Sequence, residues 1–362
     1  MQIKSKIKNF EVVFTDNFKF VDDLKKIDNS VVIVGKNVYS IYKDKIFKKF
    51  PKDRIIVLAL EEKSKTLDTA VVIYEKLLEK AAKKNLTIIS FGGGINQDVV
   101  GFVASTLYRG VNWIFIPTTL LAMADSSIGL KTSLNFKSYK NLIGSFYPPS
   151  KIIINPDFLK TLPKENYYSG VGEIIKLYLM QKDPIGNLPE TIKKIKILTA
   201  RENKEEILKI IEEAVEIKLS YMEGDEFDQG RRNLLNYGHE FGHALEPASS
   251  FKIPHGVAIL IGIIFANLIS FKRGLINKKI FDEINNLLLI PNVPTDAIPL
   301  KLKYFKREEL LENIKKDKKR ISTDLVLVLP RGKNFSLEKI TNLGIDEFNS
   351  GLIKLKNFLP LN

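Results

Sequence analysis

A chain of 362 residues, 44% hydrophobic and 27% charged, has the composition of a soluble globular protein and is long enough for two domains. It contains no cysteine, which excludes disulfides and thiolate metal sites, so any metal must be held by His, Asp or Glu. The net charge of +14 raises nucleic-acid binding, yet the lysines are scattered, and only Lys315-Lys316-Asp317-Lys318-Lys319-Arg320 forms a block. Without interleaved aromatic and basic residues, anionic small molecules are the better reading, and no nucleic-acid partner is expected.

Met1-Gln2-Ile3-Lys4-Ser5-Lys6 is basic with no apolar run behind it, so it is not read as a signal peptide, and a cytoplasmic location is the default expectation. Val31-Val32-Ile33-Val34 and Ile55-Ile56-Val57-Leu58 are short β-branched runs of the kind that form buried parallel strands. Leu67 to Lys83 has helical spacing, Leu86 to Phe91 reads as a strand that runs into Gly92-Gly93-Gly94, and Ile95 to Leu107 reads as the next helix. Trp113-Ile114-Phe115-Ile116 follows as a strand, completing a βαβ series and hence a parallel sheet with helices on its faces.

Beyond about residue 155 helical periodicity dominates: Glu165–Gln181, Glu202–Met222, Leu234–Leu245, Val257–Lys272, Phe281–Leu289 and Arg307–Lys315. Leu325 to Leu329 is the one later strand predicted. The expected architecture is α/β plus α: a Rossmann-like parallel-sheet domain over 1–155 and a mostly helical domain over 156–362. Val257 to Phe271 is the most apolar stretch, but a membrane span needs about 18–20 residues and Asn267 interrupts it, so a buried helix and no membrane partner are expected.

The glycine run between strand and helix lets backbone N–H groups approach a pyrophosphate, with a helix N-terminus behind them. Without G-x-G-x-x-G spacing it is equally a tight turn. The histidines carry more: there are three, His239, His243 and His255, all within one short stretch. His239 and His243 lie four apart and share a helix face, and a turn containing Pro247 and Pro254 could return His255 to them. His239-Glu240-Phe241-Gly242-His243 also matches H-E-x-x-H, the zinc-protease helix with Glu240 as base, but the extended motif is absent. Asp125 to Asn141 mixes an acid, lysines, hydroxyls and glycines between apolar strands, and Glu173 and Lys176 fall on one helix face, with Gly170 and Gly172 suggesting close packing.

Together these stretches resemble the 3-dehydroquinate synthase family of sugar phosphate cyclases, nearly end to end. The matching residues are Gly92-Gly93-Gly94 with Asp98, Arg109-Gly110, Pro117-Thr118-Thr119-Leu120-Leu121, Asp125-Ser126-Ser127 with Lys131, Lys140-Asn141, Gly172-Glu173-Ile174-Ile175-Lys176, Arg232 with Asn236-Tyr237-Gly238-His239, and Gly242-His243-Ala244. The resemblance implies NAD in an interdomain cleft, a zinc or cobalt ion, a homodimer, and conversion of 3-deoxy-D-arabino-heptulosonate 7-phosphate to 3-dehydroquinate with release of phosphate.

It also implies roles. Glu173, His239 and His255 resemble the metal ligands. His243, Lys131, Asp125, Lys176 and Asn236 resemble catalytic residues. Arg109, Lys140, Asn141, Lys218, Arg232, Lys318 and Lys319 resemble residues that hold the substrate, Arg109 reaching the partner subunit's. Glu62, Lys65, Gly93, Gly94, Asp98, Thr118 and Thr119, with Asp125, Lys131 and Lys140, resemble the cofactor contacts.

This chain departs from the family at Gln97, Leu130 and Tyr139, where glycine is usual, at Val257, where Glu is usual, and near Gly35, where Lys36-Asn37 replaces an acid. Leu130 matters most, because relatives acting on other sugar phosphates carry a bulky residue there. Another cyclase, acting on sedoheptulose 7-phosphate or glucose 6-phosphate, therefore stands as the alternative to dehydroquinate synthesis.

Overall fold

Residues 1–80, 83–137, 139–316 and 325–361 are described by a computed structural model. The chain divides into two compact units, Met1–Leu162 with Lys204–Glu212, and Pro163–Asn203 with Glu213–Asn362.

The first unit is built on a seven-stranded sheet. Its strands are β1 (Gln2–Ile3), β2 (Phe10–Phe14), β3 (Ser30–Gly35), β4 (Ile55–Leu58), β5 (Thr87–Gly92), β6 (Asn112–Pro117) and β9 (Lys151–Ile154), in the order β1-β2-β9-β6-β5-β3-β4. Every pairing is parallel except β1 with β2. The central strands are apolar along their length because helices cover them: α1 (Phe20–Leu24), α2 (Lys36–Tyr42), α3 (Leu67–Glu79), α4 (Gly94–Thr106) and α5 (Leu120–Ala124). Helix α3 starts where Thr66 accepts from the Thr69 N–H, and it buries Ala70, Ile73 and Leu77 on one stripe. These join Val99, Val103, Trp113 and Phe115 in the core.

The polar stretch from Asp125 to Asn141 has regular structure. Much of it forms an antiparallel ribbon of β7 (Lys131–Phe136) and β8 (Tyr139–Phe146), with Leu134 buried in the core. No clean alternation announced the ribbon, because no residue of β8 is buried on either face and its sequence is correspondingly mixed.

In the second unit lie α6 (Lys164–Leu179), α7 (Leu188–Ala200), α9 (His239–Ala248), α10 (His255–Lys272), α11 (Lys278–Asp282), α12 (Arg307–Lys316) and α13 (Ile345–Phe358). Helix α8 (Lys204–Met222) contributes its second half, and β10 (Leu325–Arg331) pairs antiparallel with β11 (Ser336–Leu343). Gly256 to Ser270 are all buried, so α10 is the axis of the unit, packed against α6, α9, α13 and β10. By length and apolarity it could cross a membrane, yet it is spent on this core.

Four expectations need correction here. Leu325–Leu329 is not the only later strand: β11 escaped because, as one half of a ribbon, it buries little but Leu343. Helices α7 and α13 were not anticipated, although each buries a regular stripe, Leu188, Thr191, Ile195 and Leu198 in α7 and Phe348, Leu352 and Leu355 in α13. The expected helix Leu234–Leu245 is broken: Arg231–Asn236 is a 3-10 turn, Gly238 sits at φ +79, and α9 begins at His239. The expected helix Phe281–Leu289 is α-helical only to Asp282, and then widens into π-type bonding over Glu283–Leu289.

Candidate active site

Glu173 is fully buried in the middle of α6, and its Oε1 faces two imidazoles: His239 Nε2 at 3.5 Å and His255 Nε2 at 3.2 Å. The rings of His239, His243 and His255 lie 5.1 to 5.6 Å apart between centroids, so the turn does return His255 to the pair on α9. One nitrogen from each His falls within 4.8 Å of the others. Two sets of three donors are thus possible, and in Glu173–His239–His255 both imidazoles face one carboxylate oxygen. A tetrahedral ion with bonds of about 2.0–2.1 Å needs donors about 3.3–3.4 Å apart, which the distances to Glu173 match.

The electrostatics keep Glu173 ionised and so able to act as a ligand. Burial alone would raise the Glu173 carboxyl, but the Lys176 ammonium, only 2% exposed and paired with it, and His255 hold it well below the usual carboxylate range. Desolvation works against charge on His255 too, but the carboxylates of Glu246 and Glu173 push its ring up to about 10. The other ring nitrogens are tied back: His239 Nδ1 lies 3.3 Å from the Tyr237 carbonyl, and His255 Nδ1 lies 2.5 Å from Glu246 Oε1.

Glycines explain how three helices bring these donors so close. Glu173 follows Gly172, His255 precedes Gly256, His239 follows Gly238 and His243 follows Gly242. A Cβ on Gly172 would stand 2.0 Å from the Gly256 carbonyl oxygen, and one on Gly256 would stand 1.8 Å from that of Ser169. On the other side of α10, a Cβ on Gly262 would stand 2.0 Å from the Gly238 carbonyl, and one on Gly242 2.7 Å from Ile259. Each functional side chain therefore leaves the backbone beside a point where two helices touch.

A second cluster lies in the first unit. Lys65, buried, pairs with Asp98 at 2.5 Å and donates to the Asn141 side chain, which also accepts from Ser133 at 3.0 Å. Asn135 binds the cluster together, donating to Glu62 Oε1 at 2.9 Å and accepting from the Asn141 N–H at 2.9 Å. Burial raises the Asp98 carboxyl, and Lys65 offsets only part of that. Nearby in the chain, Gly93 is pressed on Thr119, where a Cβ would meet the side chain at 2.9 Å, while Gly94 faces Ser126, with 3.8 Å left for a Cβ. Thr118 donates its N–H to the Gly92 carbonyl, and Thr119 caps α5.

The remaining expected residues are spread over the elements. Asp125 closes α5, Lys131 opens β7 and is exposed, and half-buried Lys140 lies on β8. Arg109 is exposed in a turn where Tyr108, Arg109 and Gly110 all have positive φ. Lys218 is buried on α8, and Arg232 is buried in the 3-10 turn that ends at Asn236. Lys318 and Lys319 lie outside the described residues.

The sequence reading missed Glu246, Asn135 and Asp225. Glu246 had a signal: His239, His243 and Glu246 fall at i, i+4 and i+7, one stripe of a helix. Asp225 had none. It accepts from the N–H groups of Gln229, Gly230 and Arg232 at 2.8, 2.8 and 2.9 Å and so shapes the loop that carries Arg232.

Comparison with known proteins fits this geometry. The model described as "3-dehydroquinate synthase N-terminal" matches residues 55–169, and "3-dehydroquinate synthase C-terminal" matches residues 170–320. The chain belongs to the 3-dehydroquinate synthase family. A 3-dehydroquinate synthase of Dictyoglomus thermophilum is 36% identical over 328 residues, 90% of this chain and 86% of that protein. Among solved structures, 2-epi-5-epi-valiolone synthase from Streptomyces hygroscopicus, with NAD+ and Zn2+ bound, shares the fold at TM-score 0.84 and 22% identity, covering 98% of this chain and 99% of that one. A 2-deoxy-scyllo-inosose synthase complexed with carbaglucose-6-phosphate, NAD+ and Co2+ matches at TM-score 0.80 and 24% identity, over 98% of each chain.

Where this member departs from the 3-dehydroquinate synthase pattern, the structure is specific. Gln97 is tied to Ser126 by two hydrogen bonds, Nε2 donating to its carbonyl at 2.8 Å and Oε1 accepting from its hydroxyl at 2.7 Å. Leu130 is 3% exposed at φ +61, a left-handed conformation usually left to glycine. Tyr139 is half exposed on β8, and Val257 is buried in α10.

Proposed function

We propose that the chain is a 3-dehydroquinate synthase, closing 3-deoxy-D-arabino-heptulosonate 7-phosphate into 3-dehydroquinate with release of phosphate. The observation that carries this reading is the buried Glu173 with two imidazole Nε2 atoms on one oxygen, in a chain that belongs to this family. Glu173, His239 and His255 hold zinc or cobalt, a three-ligand set that leaves room for substrate oxygens. The bound groups supply reversible hydride removal from a hydroxyl, through NAD, and polarisation of that oxygen, through the metal.

The chain's own residues do the rest. Lys176 keeps Glu173 ionised. His243, on the same face of α9 as His239, moves a proton at its ring nitrogen, with Asn236, Asp125 and Lys131 orienting the reacting groups. Arg109, Lys140, Asn141, Lys218 and Arg232 meet the phosphate and carboxylate, whose burial without counter-charge would be costly. Glu62, Lys65, Gly93, Gly94, Asp98, Thr118 and Thr119 cradle NAD. The lack of a Cβ at Gly93 and Gly94 lets backbone N–H groups approach its pyrophosphate, at the start of α4. The working form is a cytoplasmic homodimer.

One feature favours a second reading, a cyclase of another sugar phosphate: Leu130 fills space where the family usually has none. The test is phosphate release and product identity with 3-deoxy-D-arabino-heptulosonate 7-phosphate, sedoheptulose 7-phosphate and glucose 6-phosphate, side by side. Turnover of the first is expected. Turnover of only the other two would move the protein to another branch of the cyclases.

A further inference from the structure

We propose that Glu246 is a positioning residue for the metal centre, acting through His255. The inference rests on the metal reading above and goes one shell beyond it. His255 is the first residue of α10, follows Pro254, and keeps 31% of its side chain exposed, so its ring orientation depends on its polar partners as well as on packing. Its Nε2 faces Glu173 at 3.2 Å, and its Nδ1 meets Glu246 Oε1 at 2.5 Å. The Glu246 carboxylate accepts from Nδ1–H, so Nε2, on the side of Glu173, is the nitrogen left to bind an ion, which would displace the Nε2 proton. His239 reaches the same state differently, through a backbone carbonyl at 3.3 Å that no substitution removes. Glu246 is therefore a side chain that sets the tautomer of a ligand imidazole.

The placement braces two helices. Helix α9 carries His239 at its start and Glu246 two turns later, so it provides one ligand and also orients the ligand that α10 provides. An anionic acceptor makes a histidine a better donor to a metal, and removing such a partner costs about 10–100-fold in affinity.

The test uses full-length protein, with Co2+ affinity read by chelator competition and the visible Co2+ spectrum recorded for each variant. Glu246→Ala is expected to weaken Co2+ binding about 10–100-fold and to shift the visible bands. Glu246→Gln, which keeps an oxygen acceptor without the charge, is expected to lose less, and it carries the test if the alanine variant fails to fold. In a His255→Ala background, Glu246→Ala is expected to cost nothing more, because the residue acts through that ring. Unchanged affinity in both single variants, or the same further loss without His255, would overturn the proposal. Wild-type protein that binds no Co2+ would overturn the metal reading as well, so the two failures are distinct.

Discussion

Leu130 sets two residue-scale effects against each other. A leucine at φ +61 costs about 1–2 kcal/mol relative to an ordinary backbone, while burying its side chain returns about 1.5–3 kcal/mol, so burial wins narrowly. Leu130→Ala gives up the packing and keeps the strain, whereas Leu130→Gly gives up both. The glycine variant is expected to melt below wild type but at or above the alanine variant, the reverse of the order inside a helix; calorimetry finding alanine clearly more stable would sink the argument. Asp225 gives a pH dependence. Burial opposes its charge, but three backbone donors and Arg232 hold its carboxyl below the ordinary 3.8. A depressed carboxyl stabilises the fold above its unfolded value, and that contribution fades as pH falls through the folded one. Asp225→Asn is therefore expected to lower the melting temperature at pH 7, and the gap to wild type is expected to shrink as pH falls through the depressed folded value; a gap that stays constant throughout that fall would contradict the assignment. Spacing was enough to expect His239, His243 and His255 together, but Asp225 was illegible, since a carboxylate on its own loop leaves no periodic trace.

The strands and helices that were legible are those with one dominant face or a fully apolar run, such as α3, β5 and α10. The break at Gly238 was not, because apolar residues continue on both sides of it at helical spacing and only the backbone angle interrupts them. That break puts His239 at the start of α9 and against Glu173. Contact between helices then becomes testable at Gly172. An added methyl there meets the Gly256 carbonyl, a backbone atom that cannot swing away, so Gly172→Ala must push α6 from α10. The expected cost is about 1–3 kcal/mol together with at least a tenfold loss of Co2+ affinity. Gly351→Ala is the comparison: it crowds α10 from α13, against the movable side chains of Ile269 and Phe265, and should cost stability while leaving Co2+ affinity alone. Equal loss of affinity in both would remove glycine contact as the device that spaces the ligands.

For the molecule as a whole, the alternation of strand and helix was enough to read the α/β unit, and the later helical periodicity the second. What the sequence left hidden was connectivity in space: that Lys204–Glu212 belongs with the first unit, and that Asn135 ties Glu62 to Asn141 across more than seventy residues of chain. Pairings that distant carry no local signature. The buried Lys176 beside Glu173 has one more consequence. It is a resident cation, covalently attached, standing against the carboxylate that a metal would otherwise have to neutralise alone. With α6, α9 and α10 spaced by backbone contact, the spacing of the ligands is expected not to depend on an ion. Loading and stripping would then be exchange reactions of a finished cage: chelator-treated protein is expected to keep its far-UV circular dichroism and to take up Co2+ again without a refolding step, and loss of that signal on chelation would contradict it.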